Sequence, residues 1–192
     1  MKTLLAIPNS RYVENECYIS VHEMSKVGKV DLYLPASYSI DLSRCDIVKH
    51  AIENKYDYIL WVDSDTIIPK NTLKRLMSHD KDIVSGVYSY KLIGGKNAVA
   101  KRFIPNEVDA YEDIPLDEIR AKDNIFEVDG IGFGCVLTKT EIFNHIHDPW
   151  FVLTKNMGED IDFCRKAQNA GYKIYLDPKV LAGHIGKIFY KL

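Results

Sequence analysis

Tyr58-Ile59-Leu60-Trp61-Val62-Asp63-Ser64-Asp65-Thr66 joins five apolar or aromatic residues to two carboxylates one residue apart. A continuous apolar run of this kind reads as a strand buried on both faces of an α/β sheet. Ligands of open α/β sheets bind beyond the carboxyl ends of the strands. Asp63, Ser64 and Asp65 therefore lie at the edge where a ligand would sit. Residues i and i+2 of a strand point to the same side, so the two charges repel unless something compensates them. The usual compensation is a hard divalent cation, often shared with a phosphate. The plain alternative is a solvated turn that ends a strand. Pro69 and the helical run from Asn71 onward favour a built edge but do not decide between the two.

Working outward, the N-terminal half alternates strand and helix. Thr3 to Ile7 reads as a buried strand closed by Pro8-Asn9-Ser10, and Tyr12 to Met24 as a helix. Lys29 to Leu34 is a short strand stopped by Pro35, and Ser37 and Ser39 offer caps for a helix from Ile40 to Asn54. That helix carries an apolar stripe of Ile40, Ile47, Val48, Ala51 and Ile52. After the central strand come a helix over Asn71 to Ser78 and a strand over Asp82 to Tyr88. This alternation predicts an α/β fold with a mixed, mostly parallel sheet flanked by helices.

The rhythm breaks from Tyr90 to Asp123, a stretch containing Gly94-Gly95, Pro105 and Pro115. Ala98 to Phe103 is strand-like, and Glu107 to Glu118 reads as an exposed loop or short helix. Long excursions in compact domains are often lids or binding loops. In Gly130-Ile131-Gly132-Phe133-Gly134 the glycines permit close backbone approach, which predicts a mobile or tightly packed loop beside a cleft, or a plain structural turn. Glu141 to His147 reads as a short helix, with His145 and His147 as surface or capping residues. Pro149-Trp150-Phe151 offers an aromatic wall. Glu159, Asp160 and Asp162 fall in the first turn of the next helix, where the macrodipole favours negative charge. Three acids in four residues exceed what capping needs, and a carboxylate aimed into a cleft from there can accept a proton. Gly171 stops the helix, Tyr172 to Leu176 is a further strand, and Leu181-Ala182-Gly183 delivers His184.

Two arginines have competing readings. Pro8, Ser10 and Arg11 lie at a strand's carboxyl end, where a nucleotide could be met; Arg11 also fits a surface side chain at a helix start. Arg44 is one turn into a helix that starts at the same edge as Asp63. It could grip a diphosphate in bidentate fashion or pair with Asp41.

Bulk properties narrow the classes. A chain of 192 residues suits one domain spanning residues 1 to 192. Hydrophobic content of 46% with 27% charged residues indicates a globular protein. A net charge of −2 argues against broad nucleic-acid binding. No apolar run approaches the roughly 18 residues of a membrane span. The N-terminal run is broken at Pro8, which does not suit a signal peptide, so a cytoplasmic location is expected. The terminal Lys187-Ile188-Phe189-Tyr190-Lys191-Leu192 hints at peripheral membrane contact. Cys17, Cys45, Cys135 and Cys164 are spread as reduced core residues.

In order and spacing, these pieces resemble a glycosyltransferase of the GT-A fold, nearest the large family 2 group and in a minimal, single-domain form. The resemblance rests on Trp61-Val62-Asp63-Ser64-Asp65 as the Asp-x-Asp signature and Gly158-Glu159-Asp160-Ile161-Asp162 as the Glu-Asp signature. Gly171-Tyr172-Lys173-Ile174 to Gly183-His184 matches the closing strand and histidine, and Ser43-Arg44 the arginine upstream. The resemblance implies that Asp65 binds Mn2+ or Mg2+, that Asp63 reaches the ribose or the metal, and that His184 completes the metal site. It further implies that Arg11 and Arg44 meet the nucleotide or diphosphate of a nucleotide-sugar donor, a UDP- or GDP-sugar. Asp160, with Glu159 second, would deprotonate the hydroxyl of a carbohydrate, glycolipid or protein acceptor, giving inversion. Gly132 to Gly134 and Trp150 would line the acceptor side. The chain departs from the family at Leu32-Tyr33-Leu34-Pro35, where an acid-rich, Ser-containing segment is usual.

Two other functions share some of these residues. Asp63-Ser64-Asp65-Thr66 also fits haloacid-dehalogenase-like phosphatases, but those place the motif on the first core strand, and strands precede it here. A non-catalytic nucleotide-sugar-binding module would need no base, against which stands the full set of Asp63, Asp65, Asp160 and His184.

Overall fold

The chain was analysed as a computed structural model that describes residues 1–8, 12–26, 29–35, 37, 39–91, 96–104 and 110–186. Ser10, Arg11, Gly94-Gly95, Pro105, Glu107 and the terminal residues 187–192 lie outside the described residues.

The N-terminal half follows the alternation read from the sequence: β1 (Thr3–Ala6), α1 (Asn15–Ser25), β2 (Asp31–Tyr33), α2 (Ile40–Glu53), β3 (Tyr58–Val62), β4 (Thr66–Ile67), α3 (Thr72–Met77) and β5 (Ile83–Val87). Next come β6 (Asn97–Phe103), β7 (Tyr111–Pro115), α4 (Leu116–Arg120), β8 (Phe126–Val128), β9 (Gly130–Ile131) and β10 (Cys135–Lys139). A 3-10 turn over Thr140–Asn144 leads to α5 (Glu159–Asn169), β11 (Ile174–Leu181) and β12 (Gly183–His184).

The main sheet has seven strands in the order β2-β1-β3-β10-β5-β11-β8. β2, β1 and β3 are parallel, β11 is parallel to β5, and β10 runs antiparallel to both β3 and β5. β8 runs antiparallel to β11 at the edge. The carboxyl ends of β1, β3 and β5 therefore share one edge, and Asp63 follows directly from β3.

Both faces of this sheet are covered, which explains the unbroken apolar run at its centre. Ile59 and Trp61 pack into one core with Leu4, Ala6 and Phe163, while Leu60 and Val62 pack into a second with Leu5, Ile7 and Leu73. Trp61 is fully buried and donates its indole N–H to Thr138 Oγ1 at 3.0 Å. Truncating such a side chain to Ala costs about 3–5 kcal/mol.

Several elements differ from the sequence reading. Of the stretch read as an exposed loop or short helix, residues 111–115 form a strand and the short helix α4 begins at Leu116, with Ile114 and Ile119 anchoring this excursion in the core. β7, β6 and β9 make a separate three-stranded sheet. The glycine segment is tightly packed: a Cβ on Gly132 would stand 2.2 Å from Tyr88 Oη, and one on Gly134 2.8 Å from Tyr88 Cζ. The helix expected over 141–147 is the short 3-10 turn. β11 starts two residues late and continues through Pro178, because a register irregularity between Leu176 and Leu181 accommodates the proline. At that irregularity the fully buried Asp177 accepts from Arg75 Nε at 2.7 Å and Nη2 at 3.0 Å, and lies 2.7 Å from His79 Nε2. This clamp ties α3 to β11. Gly171 ends α5 as expected, at φ +88°, with Tyr172 N–H donating to the Ala167 carbonyl at 3.0 Å. All four cysteines are buried and none is in a disulfide. Among the described residues, no helix is long and apolar enough to cross a membrane.

Candidate active site at the carboxyl edge

After β3 the chain turns sharply, and Thr66 N–H donates to the Asp63 carbonyl at 3.0 Å. The turn is braced by Glu14 N–H on the Ser64 carbonyl at 2.8 Å and by Asp63 N–H on the Gly134 carbonyl at 3.3 Å. It feeds β4, which β12 joins in antiparallel register with His184 opposite Thr66. A residue more than a hundred positions away in sequence is thereby delivered to the Asp-x-Asp turn. His184 Nε2 lies 3.4 Å from Asp65 Oδ1. Its Nδ1 lies 2.8 Å from the Ser89 carbonyl. A carbonyl only accepts, so Nδ1 carries the hydrogen and Nε2 is turned toward Asp65. The other Asp65 oxygen accepts from Lys91 Nζ. Burial pushes the Asp65 pKa up, but the His184 and Lys91 hydrogen bonds prevail and hold it at about 2.

Arg44 is the second organising group. It is buried, at 2% exposure, and donates from Nη2 to Asp63 Oδ1 at 2.9 Å and from Nε to Glu159 Oε1 at 3.1 Å. Its guanidinium lies 5.3 Å from the Phe133 ring centroid and 5.9 Å from that of Phe151. The alternative pairing with Asp41 is not formed; Asp41 instead accepts from Leu153 N–H at 3.3 Å. Arg44 sits beneath the carboxylates and fixes two of them. Its Nη1 is buried with no hydrogen-bond partner among the described residues. A buried guanidinium between two acids is held by them: burial works against its charge, and Asp63 and Glu159 outweigh that.

Glu159 and Asp160 open α5, with Gly158 at its N-cap. Asp160 Oδ1 accepts from Ile161 N–H at 2.7 Å. A Cβ on Gly158 would stand 2.7 Å from that same oxygen, so only glycine lets the carboxylate curl over the helix end. Burial, and then the adjacent Glu159 charge, push the Asp160 pKa up to about 6. This carboxyl therefore titrates near neutrality, as a general base requires.

The structure thus brings His184, on β12, to the turn formed by Asp63, Ser64 and Asp65, and links Asp63 through Arg44 to Glu159, next to Asp160. Pro8 follows β1 at the same edge and is buried. Trp150 does not face an opening: it is buried, and its indole N–H is shared between the Phe143 and Ile146 carbonyls at 2.9 and 3.1 Å. Lys91 and Tyr88 were missed. The edge rule that singled out Asp63 could have found them, since β5 ends at the same sheet edge as β3. Tyr88 Oη accepts the Gly134 N–H at 3.0 Å and its ring meets the His184 ring edge-on at 5.2 Å.

Among the described residues, no three His, Cys, Asp or Glu side chains converge to hold a metal by themselves. Asp65 and His184 Nε2 form a two-ligand pair of oxygen and imidazole donors. Such a pair suits Mn2+ or Mg2+ when a bound phosphate and water supply the remaining oxygens. Asp63 Oδ1 is already committed to Arg44, which leaves Asp63 one oxygen for a ligand.

No protein-family model matches the sequence, and no curated protein matches it. In three dimensions, by contrast, 136 solved chains are similar, so the likeness is carried by the backbone. Protein A197 from STIV superposes with a TM-score of 0.69 at 19% identity, over 97% of this chain and 87% of that one. A crystal structure of GalNAc-T7 with UDP, GalNAc and Mn2+ superposes with a TM-score of 0.69 at 13% identity, over 98% of this chain but 44% of that one. Nearly the whole of this chain is matched in both, across a seven-stranded, mostly parallel mixed sheet flanked by helices: the chain has the GT-A fold.

Proposed function

We propose that the chain is a metal-dependent glycosyltransferase. It moves a sugar from a nucleotide-diphosphate sugar, a UDP- or GDP-sugar, to a hydroxyl of a carbohydrate, glycolipid or protein acceptor, with inversion. The observation that carries this is the joining of two half-sites through one buried cation. Arg44 holds Asp63 of the Asp-x-Asp turn on one side and Glu159, next to the half-buried Asp160, on the other. The GalNAc-T7 structure, which contains UDP, GalNAc and Mn2+, supports a nucleotide-sugar site on this fold.

In this mechanism the acceptor oxygen attacks the anomeric carbon while its proton passes to Asp160. The bond from the anomeric carbon to the diphosphate breaks, and the electron pair leaves with the nucleoside diphosphate. Asp160 is suited to the proton because burial beside Glu159 raises its basicity into the neutral range. Asp63 and Ser64 meet the donor, Pro8, Ser10 and Arg11 the nucleotide, and Arg44 keeps Asp63 and Glu159 in register. A divalent cation bound by Asp65 and His184 would supply Lewis-acid stabilisation of the leaving diphosphate. The phosphatase alternative places its nucleophilic Asp on the first core strand, whereas β1 and β2 precede β3 here.

The test is a thermal-shift panel of UDP, GDP, ADP, CDP and TDP, each with and without MnCl2. A ligand at about 100 times its Kd stabilises the native state by about 2.7 kcal/mol. One nucleotide is expected to shift the wild type further with Mn2+ than without it, and Asp65→Ala is expected to lose that Mn2+-dependent increment. An equal shift in Asp65→Ala would remove Asp65 as a metal ligand. No shift from any nucleotide would overturn the proposal.

A further inference from the structure

Lys91 brings a positive charge of the chain's own to the place where a cation would bind. Its Nζ bonds Asp65 Oδ2, while His184 Nε2 faces Oδ1 at 3.4 Å. Both oxygens of Asp65 thus meet nitrogen groups, and a divalent ion reaching Asp65 must share it with Lys91 or displace Lys91. The lysine is placed to move. Its side chain is 40% exposed against 26% for Asp65. It stands just beyond the bridge between Ser89 and Ala98, which also positions the carbonyl that orients His184. A Cβ on Gly186 would lie 3.7 Å from Lys91 Cβ, so the segment that follows His184 runs directly alongside. An ammonium on a flexible four-carbon stem recognises phosphate as a point charge and needs no fixed bidentate geometry. At 40% exposure, its pairing with Asp65 is a weak one that a second cation can break.

We propose that Lys91 is a diphosphate ligand that doubles as an internal competitor for the cation: it neutralises Asp65 in the empty site and transfers to the donor's diphosphate when a divalent ion takes Asp65. This rests on the glycosyltransferase reading and adds to it. The lysine gives the site an intrinsic affinity for nucleoside diphosphate without metal, and it makes metal and nucleotide bind more readily together than singly. By linkage the coupling is reciprocal.

The experiment compares wild type, Lys91→Met and Lys91→Arg in two titrations followed by calorimetry: MnCl2 alone, and UDP or GDP in EDTA. Relative to wild type, Lys91→Met is expected to bind Mn2+ about fivefold more tightly and the nucleotide in EDTA about fivefold more weakly, the upper range for a charge pair this exposed. Lys91→Arg is expected to retain nucleotide binding in EDTA. Opposite signs in the two titrations separate the proposal from simple damage to the fold, which would weaken both. If Lys91→Met matches wild type in both titrations, or weakens both, the Lys91 proposal is overturned while Mn2+-dependent nucleotide binding by the wild type leaves the glycosyltransferase proposal standing. Failure of the wild type to bind any nucleoside diphosphate under either condition overturns both.

Discussion

Replacing Asp160 by Asn should stabilise the protein near neutral pH and, under the proposed function, abolish sugar transfer. The carboxyl has its pKa raised from 3.8 to about 6 by burial and the neighbouring Glu159. A carboxyl with a raised folded-state pKa favours the protonated native form. Its native state keeps a proton that the unfolded chain releases, so the stability this confers is fully present below pH 3.8 and is lost as pH rises toward about 6. Above that window the ionised carboxylate is a standing penalty. Two units correspond to about 3 kcal/mol at most, and residual solvent around this half-buried group brings the expectation to about 2 kcal/mol. Asparagine keeps an oxygen for the Ile161 N–H and carries no charge. Urea denaturation at about pH 4 and at about pH 7.5 reads the effect. The Asn variant should match wild type at the lower pH and exceed it by about 2 kcal/mol at the higher. A difference independent of pH, or a loss of stability that grows above pH 6, would refute the reasoning. The same ionisation predicts that transfer by the wild type rises with pH through about 6, which initial rates across pH 5 to 8 would check.

Two further substitutions probe the supports of the site. Arg44→Met strands two acids that share one buried cation, and should destabilise by about 3–5 kcal/mol in urea melts. Arg44→Lys should recover only part of this, because a single ammonium cannot reproduce the two directed bonds to Asp63 and Glu159; a loss below about 1 kcal/mol for Arg44→Met would mean the acids are solvated after all. Gly132→Ala drives a methyl to within 2.2 Å of Tyr88 Oη and should cost about 1–3 kcal/mol. Tyr88→Phe in the same chain should return part of that loss, and strict additivity of the two changes would show that the contact is not the cause.

Much of the fold was legible because its signals are local. The apolar run at β3, the stripe of α2 and the glycine stop of α5 each announce an element within a few residues. The carboxyl-edge rule then put Asp63 and Asp65 in the right place. What stayed hidden depends on pairing. β10 is the clearest case: Cys135 to Lys139 follows three alternating glycines with no preceding helix, and nothing nearby says that it slots antiparallel between β3 and β5. The role of Arg44 was hidden for a similar reason. Spacing placed it one turn into a helix near the edge, but its burial depends on Phe133 and Phe151, which arrive about a hundred residues later. Lys91 lies beside a break in the regular pattern, so no periodicity points to it. Gly158 was quoted only as part of a motif; its reason is a side chain two residues on.

The position of β10 also governs how the chain can be made. β3 and β5 are translated first, yet neither hydrogen-bonds the other: each pairs with β10, whose residues extend to Lys139. A nascent chain shorter than this carries two open strand edges in the middle of its largest sheet, and exposed edges of that kind template association with other chains. Folding therefore cannot proceed vectorially from the N-terminus. Closure of the sheet waits for long-range contacts, which slows it relative to a chain of local hairpins and helices. Ribosome-bound fragments ending near residue 125 should be protease-sensitive in β5, and its full protection should wait until both β10 and β11, which extends to Leu181, have emerged.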